Sequence, residues 1–344
     1  MNKSLIFAGS AILATAFAGN AFARDSISIV GSSTVYPFAT VVAERFGKTT
    51  DFNTPKIEST GSGGGLKLFC SGIGVQTPDI TNSSRRMKTS EFDLCQKNGV
   101  TDIVEVLIGF DGITVANSVD AAQLNMGTKD LYLALAKMVP SPDGSESLVE
   151  NPYKQWSDVN SALPAIDIEV IGPPPTSGTR DAFTELAMEG GCKQFPFIKS
   201  MSKNDYKTTC HTMREDGAYI EAGENDNLIV QKLEANPDAL GIFGFSFLEQ
   251  NSDKVQSSII DGHTANFDAI SNGDYRISRP LYFYVKAQHI GTVPGIVEYL
   301  TEFTKEQTWG EDGYLADKGM IPLGDEQRAE VRMAVKNIQK LKLN

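Results

Sequence analysis

IEVIGPPPTSGTRDAF, residues 168–183, is the stretch on which the fold turns. Its apolar start belongs to a strand expected over Ile166 to Ile171. That strand runs into Pro173, Pro174 and Pro175, which suit neither a ladder nor a helix interior. Ser177, Gly178 and Thr179 follow, and from Gly178 to Met188 the pattern becomes helical. A strand that ends in a small, hydroxyl-rich turn and restarts as a helix is the unit of an α/β protein. The turn also has a chemistry. The first four N–H groups of a helix lack internal partners, and the helix dipole places partial positive charge there. Small residues let a ligand approach that backbone and hydroxyls add donors, so the turn suits an anion.

The same grammar occurs upstream. Ser26 to Val30 reads as a strand, followed by GSSTVYP (31–37) and a helix from Pro37 to Gly47. That helix would place Phe38, Val41, Val42 and Phe46 on one face, with Gly47 as its stop. Lys56 to Thr60 is a second short strand, followed by TGSGGGLK (60–67) and a helix from Leu66 onward. ITNSSRRM (80–87) repeats the strand-then-hydroxyl style with Ser84, Arg85 and Arg86. Ser90 opens a further helix, with Asp93 as capping partner and Gly99 at its end. Helices are also expected over Asp130 to Val139 and Leu228 to Leu233, and a strand over Leu240 to Phe247. The last helix carries Val331, Val335, Ile338 and Leu341 on one stripe. Two extended segments stand apart from the alternation: Ile103 to Val115, broken by Gly109 and Gly112, and RISRPLYFYV (276–285). They predict two lobes joined by two crossing hinge segments, each lobe a mostly parallel sheet flanked by helices. Lobe I would take residues 24–113 and 280–344, and lobe II residues 114–279.

The chain begins Met1-Asn2-Lys3, continues with apolar and small residues from Leu5 to Ala18, and carries Ala21-Phe22-Ala23. That is the pattern of a secretory signal peptide, residues 1–23, cleaved after Ala23. Loss of Lys3 would take the net charge from −12 to −13. So acidic a chain repels nucleic acid and anionic lipid. If its ligand is an anion, local donors must capture it. The four cysteines Cys70, Cys95, Cys192 and Cys210 allow three disulfide pairings in an oxidising compartment. Pairing Cys70 with Cys95 and Cys192 with Cys210 keeps each bridge within one lobe. The three histidines and the cysteine spacings fit no zinc signature, and no metal or cofactor is expected. Leu66 separates Gly65 from Lys67 and Leu68 follows, which excludes a phosphate-binding P-loop, and Leu66 also breaks a dinucleotide fingerprint.

Taken together, GSSTVYPFA (31–39), STGSGGGLK (59–67), WSDVN (156–160), SGTRDAF (177–183), NPDALGIFGFSF (236–247) and ISRPLYFYV (277–285) resemble, in order and separation, the periplasmic phosphate-binding proteins of bacterial phosphate ABC importers. The resemblance covers nearly the whole mature chain. It implies an α/β clamshell of the type II periplasmic binding protein class. Such a protein is a monomeric, non-enzymatic receptor that closes on inorganic phosphate and delivers it to an inner-membrane ABC transporter permease. Carried over by position, Thr34 and the Val35 amide are first-loop ligands, Ser62 matches the serine of the glycine loop, and Ser177, Gly178 and Thr179 come from the second lobe; their neighbours Ser33 and Gly63 are further candidates.

Two departures stand out. The arginine that precedes Ser-Gly-Thr by four residues in the family is Pro173 here, and the usual aspartate place falls to Ser84. Arg180 and Arg85 are the candidates for the missing positive charge, while Arg86 reads as a solvated partner. The lost aspartate matters because phosphate carries a proton at neutral pH and sulfate does not, so a buried carboxylate accepts from one and repels the other. A backbone carbonyl, Ser84 or Asp226 would have to replace it. A clamshell for sulfate, molybdate or tungstate is therefore one alternative. Another is a secreted serine hydrolase acting through Ser177 or Ser62, but no recognised base arrangement or G-x-S-x-G accompanies them, and Ser200-Met201-Ser202-Lys203 matches S-x-x-K only as chance would. Trp156 reads as a packing anchor, Tyr282, Phe283 and Tyr284 as a crossing strand between lobes, and Asn225, Asp226 and Asn227 as cleft or turn.

Overall fold

A computed structural model describes residues 24–223 and 226–343; the expected signal peptide, residues 1–23, and Asn225 lie outside them. The centre of the molecule is one nine-stranded sheet. In chain order its strands are β1 (Ser28–Gly31), β2 (Lys56–Ser59), β3 (Ile80–Ser83), β4 (Ile103–Ser118), β5 (Val170–Gly172), β6 (Tyr219–Glu221), β7 (Leu240–Gly244), β8 (Val255–Ser257) and β9 (Ser278–Lys286). Across the sheet the order is β2-β1-β3-β9-β4-β7-β5-β6, with β8 also beside β4.

Strand direction sets the site. β1, β2 and β3 are mutually parallel. β9 is antiparallel to both β3 and β4, so β4 runs with the first group. β7 is antiparallel to β4, and β5 and β6 run with β7. The two parallel groups therefore point head to head, and their carboxyl ends face each other over the middle of β4. β3 reaches β9 only as far as Tyr282, and β7 joins β4 only from Ile113. Between those limits, Gly109 to Gly112 and Ser278 to Leu281 pair with each other, and Phe110 is bridged on its other side by Ile321.

Gly109 and Gly112 do not break β4, which is one strand of 16 residues. The register slips between Leu281 and Tyr282, opposite Gly109, and the glycine absorbs the bulge. Its φ is +153°, and a β-carbon there would stand 2.5 Å from the Ile321 carbonyl oxygen.

The helices follow the apolar spacing, with revised ends. α1 (Tyr36–Thr49) has Pro37 in its first turn and buries Phe38, Ala39, Val42, Ala43 and Phe46; Gly47 lies inside it instead of ending it. α2 (Ser62–Phe69) begins at Ser62, so the glycine run is its first turn and not a loop before it. α3 (Thr89–Lys97) starts one residue before Ser90, and its capping partner is therefore Glu91, which accepts from the Lys88 amide at 2.9 Å, in place of Asp93. α4 (Thr128–Leu135) stops short because Met138–Pro140 pairs with Leu148–Glu150 as a hairpin. α5 (Gly178–Phe183) passes into a π-helical turn, Thr184–Met188, and then Glu189–Cys192. α6 (Lys203–His211), α7 (Asp226–Ala235), α8 (Phe245–Gln250), α9 (Ile296–Phe303) and α10 (Asp325–Lys336) follow. The strand expected to run to Phe247 ends at Gly244, because α8 takes over at Phe245. Beyond α10 the Leu341 amide donates to Ile103 at 2.7 Å, returning the chain to the start of β4.

Both expected disulfides form. Cys70–Cys95 ties the end of α2 to α3 in a small core with Leu66, Phe69, Met87 and Tyr284. Cys192–Cys210 ties the helical run begun by α5 to α6. Trp156 is completely buried, as a packing anchor should be.

Candidate functional site

On the first edge, β1 gives way to the turn Ser32–Val35 and α1, β2 to α2, and β3 to Ser84 and Arg85. Because these strands are parallel neighbours, Thr34, Ser62 and Ser84 all follow the carboxyl ends of one parallel group. Thr34 is buried, Ser33 is exposed, and the Val35 amide donates to Ser32 Oγ at 3.4 Å. Ser62 Oγ stands 3.2 Å from Ser84 Oγ and accepts from the Ser84 amide at 3.1 Å. Glycine at position 65 is required by packing: a β-carbon there would lie 2.4 Å from Gly31 Cα, so α2 is seated directly on β1. Gly63, by contrast, faces open space, with an Arg85 Nη2 atom 3.9 Å from where its β-carbon would be.

On the opposite edge, β5 ends at Gly172 and the three prolines carry the chain to Ser177, which caps α5. Its hydroxyl accepts from the Thr179 amide at 3.2 Å, and Gly178 opens onto empty space. Asp226 accepts from the Gly244 amide, at the start of α8, at 3.2 Å.

The link between the two edges is a residue that the sequence reading passed over. Arg279 lies on β9 opposite Asp111 of β4 and is 7% exposed. Its Nη2 donates to Thr34 Oγ1 at 2.5 Å, its Nη1 to Glu185 at 2.7 Å, and its Nε to Asp111 at 3.3 Å. Glu185 belongs to the π-helical turn that follows α5. One guanidinium thus touches the first turn of one half, the Ser-Gly-Thr helix of the other, and the strand that joins them. Burial pushes the Asp111 carboxyl up from its ordinary value, against the pull of Arg279. Asp181 is also raised, by burial and by Glu185, with Arg279, Lys207 and His211 opposing. A charged residue inside each of two apolar crossing segments was the available signal.

The arginines singled out from sequence are engaged elsewhere. Arg85 forms a fork with Glu91, at 2.7 and 2.9 Å, which holds its guanidinium above its ordinary value. Arg86 pairs with Glu105. Arg180 donates to the Pro173 carbonyl at 3.2 Å and lies 4.2 Å over the Tyr219 ring. Burial pushes the Tyr219 phenol up to about 12. Arg180 lines a 710 Å³ cavity on the flank of α5, with Glu185, Lys207 and Tyr219 among its walls. The hydrogen-bond partners of Ser62 and Ser177 are hydroxyls and amides; His211 bonds Glu189 and His289 bonds Asp79. Among the described residues, neither serine is hydrogen-bonded to a histidine or a carboxylate.

A family profile described as a PBP superfamily domain matches residues 17–307. A phosphate-binding protein PstS from Staphylococcus haemolyticus is 30% identical over 294 residues, which cover 83% of this chain and 79% of that protein. This chain belongs to the PBP superfamily, among the PstS phosphate-binding proteins. Protein SphX from Synechocystis is 28% identical over 315 residues, 88% of this chain and 80% of that one. Among solved structures, a possible phosphate binding protein from Planctomyces limnophilus superimposes with a TM-score of 0.72 at 24% identity, covering 92% of this chain and 99% of its own. PstS from Borrelia burgdorferi does so with a TM-score of 0.58 at 16% identity, covering 87% and 99%. Those two likenesses establish the fold, an α/β type II binding-protein architecture. No helix among the described residues is long and apolar enough to cross a membrane.

Proposed function

We propose that this PBP-superfamily chain is a monomeric periplasmic receptor, exported by cleavage after Ala23, that captures inorganic phosphate between its two halves and passes it to an inner-membrane ABC transporter permease without chemistry. The observation that carries the reading is the Arg279 node. In a chain of net charge −12, a nearly buried guanidinium reaches Thr34 where strand ends from both halves converge. The names of the PstS relatives point the same way.

The ligand set under this reading is Ser33, Thr34, the Val35 amide, Ser62, Gly63 and Ser84 from one edge, and Ser177, Gly178 and Thr179 from the other, with Arg279 supplying the charge. Arg85 and Arg180 would have to leave Glu91 and Tyr219 to join it. A lobe division at residues 113/114 and 279/280 is supported by the change in β4's partners beside Gly112 and Ile113.

The energetics are sufficient. Micromolar binding requires about −8 kcal/mol. Charge-assisted hydrogen bonds contribute roughly 1.5–3 kcal/mol each, against an association cost of ~4 kcal/mol or more. Calorimetric titration with phosphate, sulfate, arsenate and molybdate tests the reading. Phosphate should bind one to one. Arg279→Lys, which keeps the charge and loses the planar fork, should weaken binding about tenfold. Absence of binding by every tetrahedral oxyanion would remove the proposal, and a preference for sulfate or molybdate would reassign the ligand.

A further inference from the structure

Arg279, the cation that phosphate needs, is already taken. Thr34, Asp111 and Glu185 engage its Nη2, Nε and Nη1. Of these three, Glu185 is the one able to let go. Asp111 faces Arg279 across the β4–β9 ladder and Thr34 is buried, whereas the Glu185 side chain is 55% exposed. Glu185 also sits in the π-helical turn Thr184–Met188, a local departure from helix geometry of a kind that recurs at functional positions.

Behind Glu185 opens the 710 Å³ cavity, and the side chain is part of its wall. Facing it are Asp181 and Arg180 from its own helix, Lys207 and His211 from α6, and Arg214, Glu215 and Glu221 beyond. Most of the basic side chains there are committed. His211 bonds Glu189, Arg214 bonds Asp216, and Arg180 lies over Tyr219. Lys207 enters no ion pair among the described residues, and its charge acts on Asp181, one turn before Glu185.

We propose that Glu185 is an internal counter-ligand: in the empty cleft its carboxylate holds Arg279 across the two halves, and an incoming anion exchanges places with it, the displaced carboxylate turning toward Lys207. The proposal rests on the phosphate-binding reading and adds a rule of charge to it. Exchanging one carboxylate for a monoanion leaves the charge beside Arg279 unchanged. A dianion adds a negative charge next to Asp111 and Asp181. Phosphate can enter as its singly charged form, but sulfate has no such form at neutral pH. The displaced Glu185 carboxylate, still in the cavity wall beside Lys207, adds to the repulsion from Asp111 and Asp181 and so disfavours sulfate, in a chain that has serine at position 84.

Calorimetry on the full mature chain tests this with wild type, Glu185→Gln, Lys207→Gln and the double variant, each titrated with phosphate and with sulfate. Glu185→Gln should bind phosphate about tenfold more tightly, a change of ~1.4 kcal/mol, and should acquire sulfate binding. Lys207→Gln should weaken phosphate binding in the wild-type background and leave it unchanged when Glu185 is already glutamine, because the two side chains act as one coupled pair. The proposal is overturned if Glu185→Gln leaves phosphate affinity and sulfate exclusion as they were, if it weakens phosphate binding, or if the two substitutions are additive. Each of those results leaves the phosphate reading intact. A wild type that binds no tetrahedral oxyanion removes the reading, and the exchange with it.

Discussion

Lys286 and Arg279 lie on the same strand, one at each end, and both are cations withdrawn from water for different ends. Lys286 is fully buried, donates to the Gly72 carbonyl and to Thr77 Oγ1 at 2.7 Å each, and sits 5.0 Å over the Phe69 ring. Burial pulls its ammonium down to about 8, with Asp79 opposing and Arg24 adding to the fall. The sign of the consequence follows from which state holds the proton. An unfolded chain keeps it up to the ordinary lysine value of 10.5, while the folded chain has already lost it. Between the two values the unfolded state binds more protons, so stability rises with pH across that window and is lowest, at a constant level, beneath it. Melting wild type and Lys286→Met in parallel over that range checks this: wild type should gain on the variant as pH increases, and a pH-independent gap would contradict it. Arg279 instead commits its guanidinium to Thr34, Asp111 and Glu185. It was legible in the sequence only as a charge inside an apolar crossing strand, matched by Asp111 in the other. The register that makes them partners, Arg279 opposite Asp111, depends on a bulge that no short pattern announces.

At the scale of elements, the glycine run 61–65 divides into positions with different duties. Gly65 is where α2 rests on β1, while a β-carbon at Gly64 would make ordinary contact, 3.6 Å from Thr60 Cβ. Gly65→Ala should therefore cost ~1–3 kcal/mol as overpacking against backbone. Gly64→Ala, placed in a helix, should be neutral or stabilising by ~0.5–1 kcal/mol. Thermal or urea unfolding of the two variants separates the duties; equal effects would mean that packing does not explain Gly65. The strand-turn-helix units were legible because period and punctuation agree with the final contacts. Glycines were the recurring source of error: the run 62–65 looked like a loop and is a helix start, and Gly47 and Gly109 looked like breaks and are not. In each place tertiary contact overrides local propensity. The π-helical turn at Thr184–Met188 left no mark in the apolar spacing, and with it the position of Glu185 stayed hidden.

For the whole molecule, the sheet's continuity decides how ligand and stability are coupled. β4 and β9 belong to both halves, and between Gly109 and Gly112 the only other backbone pairing among the described residues is the single bridge of Phe110 to Ile321, so bending between the halves is expected there. Neither disulfide crosses that span: Cys70–Cys95 lies in one half and Cys192–Cys210 in the other. The covalent frame thus leaves the span unrestrained, and under the proposed function a ligand that contacts both edges would stabilise a closed state. The shared strands also imply that neither half keeps its core when the other is lost. Scanning calorimetry should show one cooperative transition. Phosphate at ~100 times its dissociation constant should stabilise it by ~2.7 kcal/mol, raising the melting temperature by a few degrees. Small-angle scattering should show compaction under the same conditions. Two transitions, of which phosphate moves one, would mean that the ion is held by a single edge. Convergence of the opposed strand ends on Arg279 would then be geometry without a ligand, whatever affinity the other edge displayed.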